Sequence, residues 1–256
     1  MTLAENETLP VVSIEPATPE AKRLWALALS LARDLGAERE WSLIGGLMVQ
    51  LHGLERDDDL RPTTDIDLLG AARKPPAMTE QIASLLIEQG AEVATPPRSQ
   101  PSLGYRFHLH GETVEILGPD GLRVDPKTTG KLRTFQVSGG SQALKRTEVV
   151  LVRLENSPAV AVRRPTLLGA ILIKSRVLAK RRKEKFHSDR QDLIRLLGYV
   201  EDPRALAREE QLTATERKWL RNVISHLDFD DPALSAVFPA DVLEEARQAF
   251  QLLSAS

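Results

Sequence analysis

The chain has 256 residues, of which 42% are hydrophobic and 27% charged, with a formal net charge of −2. That length allows one large packed domain or two small ones, and near-neutrality excludes nucleic-acid binding by overall charge, leaving only a local basic patch. There is no cysteine, which excludes disulfides and thiolate metal sites.

Met1 to Pro10 is polar and acidic and lacks the basic-then-apolar order of a secretory signal. No apolar run approaches the ~18 residues of a membrane span. The expectation is a soluble cytoplasmic protein that does not engage a membrane. Residues 1–17, with Pro10 and Pro16, read as a flexible lead-in. Pro19-Glu20 opens a helix in which Leu24, Leu27, Ala28 and Leu31 recur at helical spacing, and Gly36 stops it. Trp41-Ser42-Leu43-Ile44 is a short strand, and Gly45-Gly46 turns it into a helix through Leu54. Residues 55–62 form a charged loop.

Asp65 to Leu69 reads as a strand and Met78 to Gln89 as a helix closed by Gly90. Tyr105 to His110 and Thr113 to Leu117 alternate about Gly111 as a hairpin. Residues 119–146 carry no clear pattern. Glu148 to Leu154 and Ala159 to Arg163 are two further strands, and everything from Thr166 onward reads as helical. The predicted fold class is α+β: a mixed sheet with flanking helices over residues 18–165, followed by an all-helical C-terminal domain over 166–256.

Side chains alternate faces along a strand, so Asp65 and Asp67 point one way while Ile66 and Leu68 point into a core. Two carboxylates side by side repel unless a cation lies between them, and hard oxygen ligands suit Mg²⁺ or Mn²⁺. An Asp-x-Asp is also common on solvated strands, and that reading stays open. Glycines at a strand-to-helix turn let backbone amides approach a phosphate, so Gly45-Gly46 is a candidate phosphate cradle or an ordinary tight turn. Glu115, opposite in facing to Val114 and Ile116, can join the aspartates if its strand lies beside theirs; otherwise it is an exposed strand charge.

Ile44-Gly45-Gly46-Leu47-Met48, Leu51-His52-Gly53-Leu54, Arg61, Thr64 and Asp65-Ile66-Asp67-Leu68-Leu69 resemble the signature of AbiEii/AbiGii-type nucleotidyltransferases. These are toxins of type IV toxin–antitoxin systems, grouped with MenT-like tRNA-modifying toxins in the DNA polymerase β superfamily. The resemblance implies a nucleotidyltransferase fold, an NTP substrate, an RNA (tRNA) acceptor, a cognate antitoxin, and metal ligation by Asp65 and Asp67 with Glu115 as third acid. Two features depart from it. Leu47 follows Gly46 where the superfamily carries Ser or Thr, and the loop before the aspartates is longer.

The helix after Pro165 places Leu167, Ala170, Ile171, Val177 and Leu178 on one face, and Lys174 lies on that face too. Its ammonium snorkels to solvent or reaches a phosphate or carboxylate. The resemblance, which includes a lysine at this place, implies the second. Lys180-Arg181-Arg182-Lys183, with Lys185 and Arg190, is the densest basic patch: a solvated helix end, or a contact for an RNA backbone. In His187-Ser188-Asp189-Arg190-Gln191-Asp192-Leu193, Ser188 and Gln191 fit a capping box. The resemblance implies that Asp189 or Asp192 orders Lys174 or the nucleotide site.

The implied reaction moves a nucleoside monophosphate from NTP to an acceptor. Asp65, Asp67, Glu115 and Lys174 would be catalytic, with Gly45, Gly46, Lys174, Asp189 and Asp192 around the nucleotide. Two other readings remain: a binding protein of the same fold without turnover, and a nucleotidyltransferase acting on a small molecule such as an antibiotic.

Overall fold

A computed structural model describes residues 11–58, 61–180 and 186–255. Val11–Ile14 form strand β1 with Val12 and Ile14 buried, so this part of the expected lead-in is a structured edge of a sheet. Prolines on both sides hide that short alternation in the sequence. Helix α1 (Pro19–Leu35) starts on Thr18, whose hydroxyl accepts from Ala21 N at 3.2 Å, and ends at Gly36, whose φ of 74° few other residues adopt.

Strand β2 (Trp41–Ile44) runs into helix α2 (Gly45–Leu54), and strand β3 (Asp65–Gly70) into helix α3 (Met78–Glu88). Strands β4 (Glu92–Val93), β5 (Arg106–Leu109) and β6 (Glu112–Pro119) follow, then β7 (Gln136–Val137). The unassigned stretch therefore holds β7 and a short helix, α4 (Gly140–Lys145). One mixed sheet has the order β2-β3-β6-β5-β4, with β7 also paired to β6. Strands β8 (Thr147–Leu154) and β9 (Val160–Pro165) form a second sheet with β1 in the order β1-β8-β9. Arg163 joins the two sheets by donating to the carbonyls of Trp41 (2.9 Å) and Ala37 (2.8 Å).

The rest is helical. It comprises α5 (Leu167–Leu178), α6 (Phe186–Gly198), α7 (Pro203–Glu209), α8 (Ala214–Asn222), α9 (Ile224–Leu227), α10 (Pro232–Ser235) and α11 (Ala240–Ser254). The mixed sheet with flanking helices and a helical C-terminal region is the predicted fold class. Among the described residues, no helix is long and apolar enough to cross a membrane.

The β2-β3-β6 sheet separates two cores. Leu43, Ile66, Leu68, Val114 and Ile116 pack with α1, α3 and the second sheet. Ile44, Leu69 and Leu117 pack on the other side, against α5, α6 and α11. Helix α5 is more deeply sunk than its stripe suggests, with every residue from Leu168 to Ser175 buried. A helix apolar all round is what a central position requires.

Ser188 lies inside α6, after Phe186 and His187, and not at the N-cap position that the capping box assigned to it. Arg190 is buried and bonded to Asp231 at 2.6 Å, so it does not belong to the basic surface.

Phe107, fully buried on β5 in the α1/α3 core, tests the packing. Phe107→Ala should lower unfolding free energy by about 3–5 kcal/mol, through a lost side chain plus a cavity. Urea denaturation should show a lower midpoint at unchanged slope. A loss below about 1 kcal/mol would mean that this core is loosely packed.

Candidate functional site

The site begins with register. Strands β3 and β6 pair in parallel, with Asp65 opposite Thr113 and Asp67 opposite Glu115. The two aspartates share a face by the period of the strand, and the neighbouring strand adds Glu115 beside them. Their ligand oxygens all lie within 4.8 Å of one another. The donor set is wholly carboxylate oxygen, which fits a hard divalent cation such as Mg²⁺ or Mn²⁺ better than a soft metal.

The glycine pair closes against this group. Strand β2 pairs antiparallel to β3 with Ile44 opposite Asp67, so α2 starts directly beside the second aspartate. Gly45 has a φ of 70°, and a Cβ on it would lie 2.6 Å from Asp67 Cγ. A Cβ on Gly46 would lie 2.7 Å from Thr63 Cβ. Both positions therefore exclude side chains for steric reasons, and they leave the first amides of α2 without a side-chain cap. Leu47 is buried in the core, while the hydroxyl next to Gly46 belongs to Thr63, which donates to Asp65 Oδ1 at 3.1 Å.

Helix α5 supplies Lys174. Its side chain is only 8% exposed, and its ammonium reaches Asp192 Oδ2 at 2.7 Å and Asp189 Oδ1 at 3.3 Å on α6. It does not snorkel into bulk solvent. Burial by itself would lower the pKa of Lys174, but the carboxylates of Asp192 and Asp189 outweigh it and hold the group above its ordinary value. Asp192 also receives a two-pronged contact from Arg61: Nε on Oδ1 and Nη2 on Oδ2, each 2.8 Å. Burial pushes the Asp192 carboxyl up, while Lys174 and Arg61 push it down further, so the net direction is down.

The long loop before β3 is tied down along its described length. Glu55 meets Arg164 at 2.5 Å, and Asp58 meets Arg195 at 2.5 Å and also the Tyr199 hydroxyl. Burial, then the bond to Asp58, pushes the Tyr199 hydroxyl well above its ordinary range. The extra loop length thus lets the chain reach α6 before it enters the strand.

The glycine pair, the three carboxylates and Lys174 face one cleft of about 460 Å³ between the sheet and helices α5 and α6. It brings together Gly45, Gly46, Asp65, Asp67, Glu115, Lys174 and Asp189. Asp192 stands behind Lys174, as its orienting partner. Lys180 is exposed at the end of α5, whereas Arg181, Arg182, Lys183 and Lys185 lie outside the described residues. His52 is buried, with Nε2 3.1 Å from the Pro165 carbonyl, and takes no part in the cleft.

Three features of the cleft escape a reading of the sequence. Tyr105 and Phe135 form an edge-to-face pair in its wall, with centroids 4.9 Å apart. Arg61 is fixed by an aspartate far along the chain. Arg106 stands directly opposite Glu115 on β5 and bonds its Oε1 through Nε (2.9 Å) and Nη2 (2.5 Å). This last contact had a signal in the sequence, Gly111 between two alternating runs: a two-residue turn at His110-Gly111, both of which have positive φ, pairs Leu109 with Glu112 and hence Arg106 with Glu115.

Asp192→Asn should destabilise the protein by about 3 kcal/mol at pH 7, because it takes the carboxylate from Arg61 and leaves buried Lys174 with Asp189 alone. The folded pKa of Asp192 lies below its ordinary 3.8, so its charge contributes stability above that pH and loses it as pH falls through the folded value. The gap in urea midpoint between wild type and variant should therefore be full at pH 7 and narrow under more acid conditions. A gap constant with pH would assign the loss to packing.

No protein-family model and no curated protein matches this chain. Among solved structures, it is similar to an antigenic nucleotidyltransferase-like protein from Paracoccidioides brasiliensis, at 16% identity over 87% of this chain and 92% of that one, with a TM-score of 0.49.

Proposed function

We propose that the protein is a metal-dependent nucleotidyltransferase that moves a nucleoside monophosphate from NTP to an acceptor, with RNA (tRNA) as the acceptor class. The observation that carries this reading is the convergence of Asp65, Asp67 and Glu115 at a cleft that also holds the bare N-terminus of α2 and Lys174. Each group has a distinct task. The amides of Gly45 and Gly46 meet a phosphate where no side chain fits, and the start of the helix favours its charge. Lys174 faces the leaving pyrophosphate, held in place by Asp189 and Asp192.

Asp65, Asp67 and Glu115 would hold the cations, and Mg²⁺ or Mn²⁺ supplies neutralisation of the attacking and leaving oxygens when bound. The acceptor hydroxyl oxygen forms a bond to the α-phosphorus as the bond from that phosphorus to its bridging oxygen breaks. Pyrophosphate leaves, and Glu115 helps remove the hydroxyl proton.

As the toxin of a type IV toxin–antitoxin or phage-defence system, such an enzyme would have a cognate antitoxin. The patch of Lys180, Arg181, Arg182 and Lys183 supports a polynucleotide acceptor over an antibiotic, since a polyanion gains most from clustered cations.

Incubation with each α-labelled NTP, Mg²⁺ and total tRNA should yield labelled RNA, and Asp67→Asn should abolish both the labelling and the rise in melting temperature that Mn²⁺ with NTP gives. A melting rise without transfer to any acceptor would favour a binding protein, and transfer to an aminoglycoside would favour the small-molecule reading. Lys174→Met should lower turnover by about 10²-fold and nucleotide affinity by less, because its ammonium acts mostly on charge that develops in the transition state. Melting temperature is read alongside, since Asp189 and Asp192 lose the Lys174 ammonium. Turnover at the wild-type rate would remove Lys174 from the chemistry.

A further inference from the structure

Arg106 raises a question that the proposed reaction does not use. It bonds Glu115, the third acid of the candidate metal site, through two donors on one oxygen. A cation of the protein therefore sits where a metal ligand is needed. The two partners differ in freedom: the Glu115 side chain is 9% exposed, whereas that of Arg106 is 45% exposed. Glu115 is fixed by its place in the sheet, but the guanidinium rests at the lip of the cleft. In this same position its Cζ lies 5.5 Å from the centroid of the Tyr105 ring, which also attracts the cation.

Charge makes the arrangement consequential. Arg106 offsets the charge of Glu115, one of the three grouped carboxylates. Without it Glu115 attracts a cation more strongly. Among the described residues, the other basic groups of this wall are differently engaged: Lys174 by Asp189 and Asp192, and Arg61 by Asp192.

Resting on the nucleotidyltransferase reading, we infer that Arg106 is an exchangeable counter-cation of the site: it holds Glu115 when the cleft is empty, gives it up when a divalent cation is bound, and then pairs with a phosphate of the incoming nucleotide. The exchange couples the two ligands. Metal alone binds weakly because it competes with the guanidinium. The triphosphate offers that guanidinium a new anionic partner, so metal and nucleotide load together.

A single substitution separates this device from a plain cross-strand ion pair, because it moves two affinities in opposite directions. Arg106→Gln keeps a polar side chain and removes the charge. Calorimetric titration with Mn²⁺ alone should show binding tighter than wild type by about two- to tenfold, the range one partly screened unit charge gives. Titration with α,β-methylene analogues of ATP, GTP, CTP and UTP in saturating Mn²⁺ should show the best-bound analogue weakened by about tenfold, through loss of a charge-assisted contact. In Arg106→Lys, which grips Glu115 through a single nitrogen, Mn²⁺ should bind tighter and the analogue weaker by smaller factors. The lysine variant carries the test if the glutamine variant does not fold. Unchanged or weaker Mn²⁺ binding, or unchanged analogue binding, overturns the inference. Failure of the wild-type protein to bind any analogue in saturating Mn²⁺ instead removes the nucleotidyltransferase reading on which it rests.

Discussion

The meeting of Lys174 and Arg61 on the buried carboxylate of Asp192 holds the two halves of the molecule in working relation. Lys174 comes from the central helix α5, Asp192 from α6, and Arg61 from the loop that leads into β3. A lone charge at any of these positions would be expensive to bury, and together they satisfy one another. The network therefore forces the helical region to sit where Lys174 looks across at the three carboxylates. It also fixes the entry to β3, so that Thr63 and Asp65 arrive at the cleft in a defined place.

The sheet performs a second sorting. Along β3, Ile66 and Leu68 enter the core under α1 and α3, while Asp65, Asp67 and Leu69 face the helical side. Leu69 is covered by α5 and the elements beside it, and the two aspartates lie just beyond that cover. A site at the margin of a packed interface is dry on one side and open on the other. This suits carboxylates that must be preorganised and yet remain reachable.

Two departures from the expected signature have local physical accounts. Leu47 fills the core, and the hydroxyl against the glycine turn comes from Thr63, which sits over Gly46 and bonds Asp65. The longer loop is bound to α6 and β9 through Asp58 and Glu55, so its extra residues add anchorage. Arg106 bonds one member of the acidic group from the neighbouring strand, and it is the more exposed partner of the pair.

Much of this was legible from residue order alone, because it depends on short-range rules. The period of a strand put Asp65 and Asp67 on one face, Gly45-Gly46 marked the strand-to-helix turn, Gly36 ended α1, and Gly111 marked a hairpin. The apolar stripe around Lys174 narrowed its ammonium to two places, bulk solvent or a specific partner. Short-range rules stop where contacts span long stretches of chain. The strand at Val11–Ile14 is too short to declare itself without its partner β8, and the register that sets Glu115 beside Asp67 joins strands nearly fifty residues apart. Asp192 reaches Arg61 over a separation of 131 residues, and Tyr105 meets Phe135 only because β7 docks beside β6. The sequence by itself determined which side chains could form a site, through backbone geometry and periodicity. The tertiary structure alone decided which of them meet, since that depends on how non-local strands and helices bury their apolar faces together.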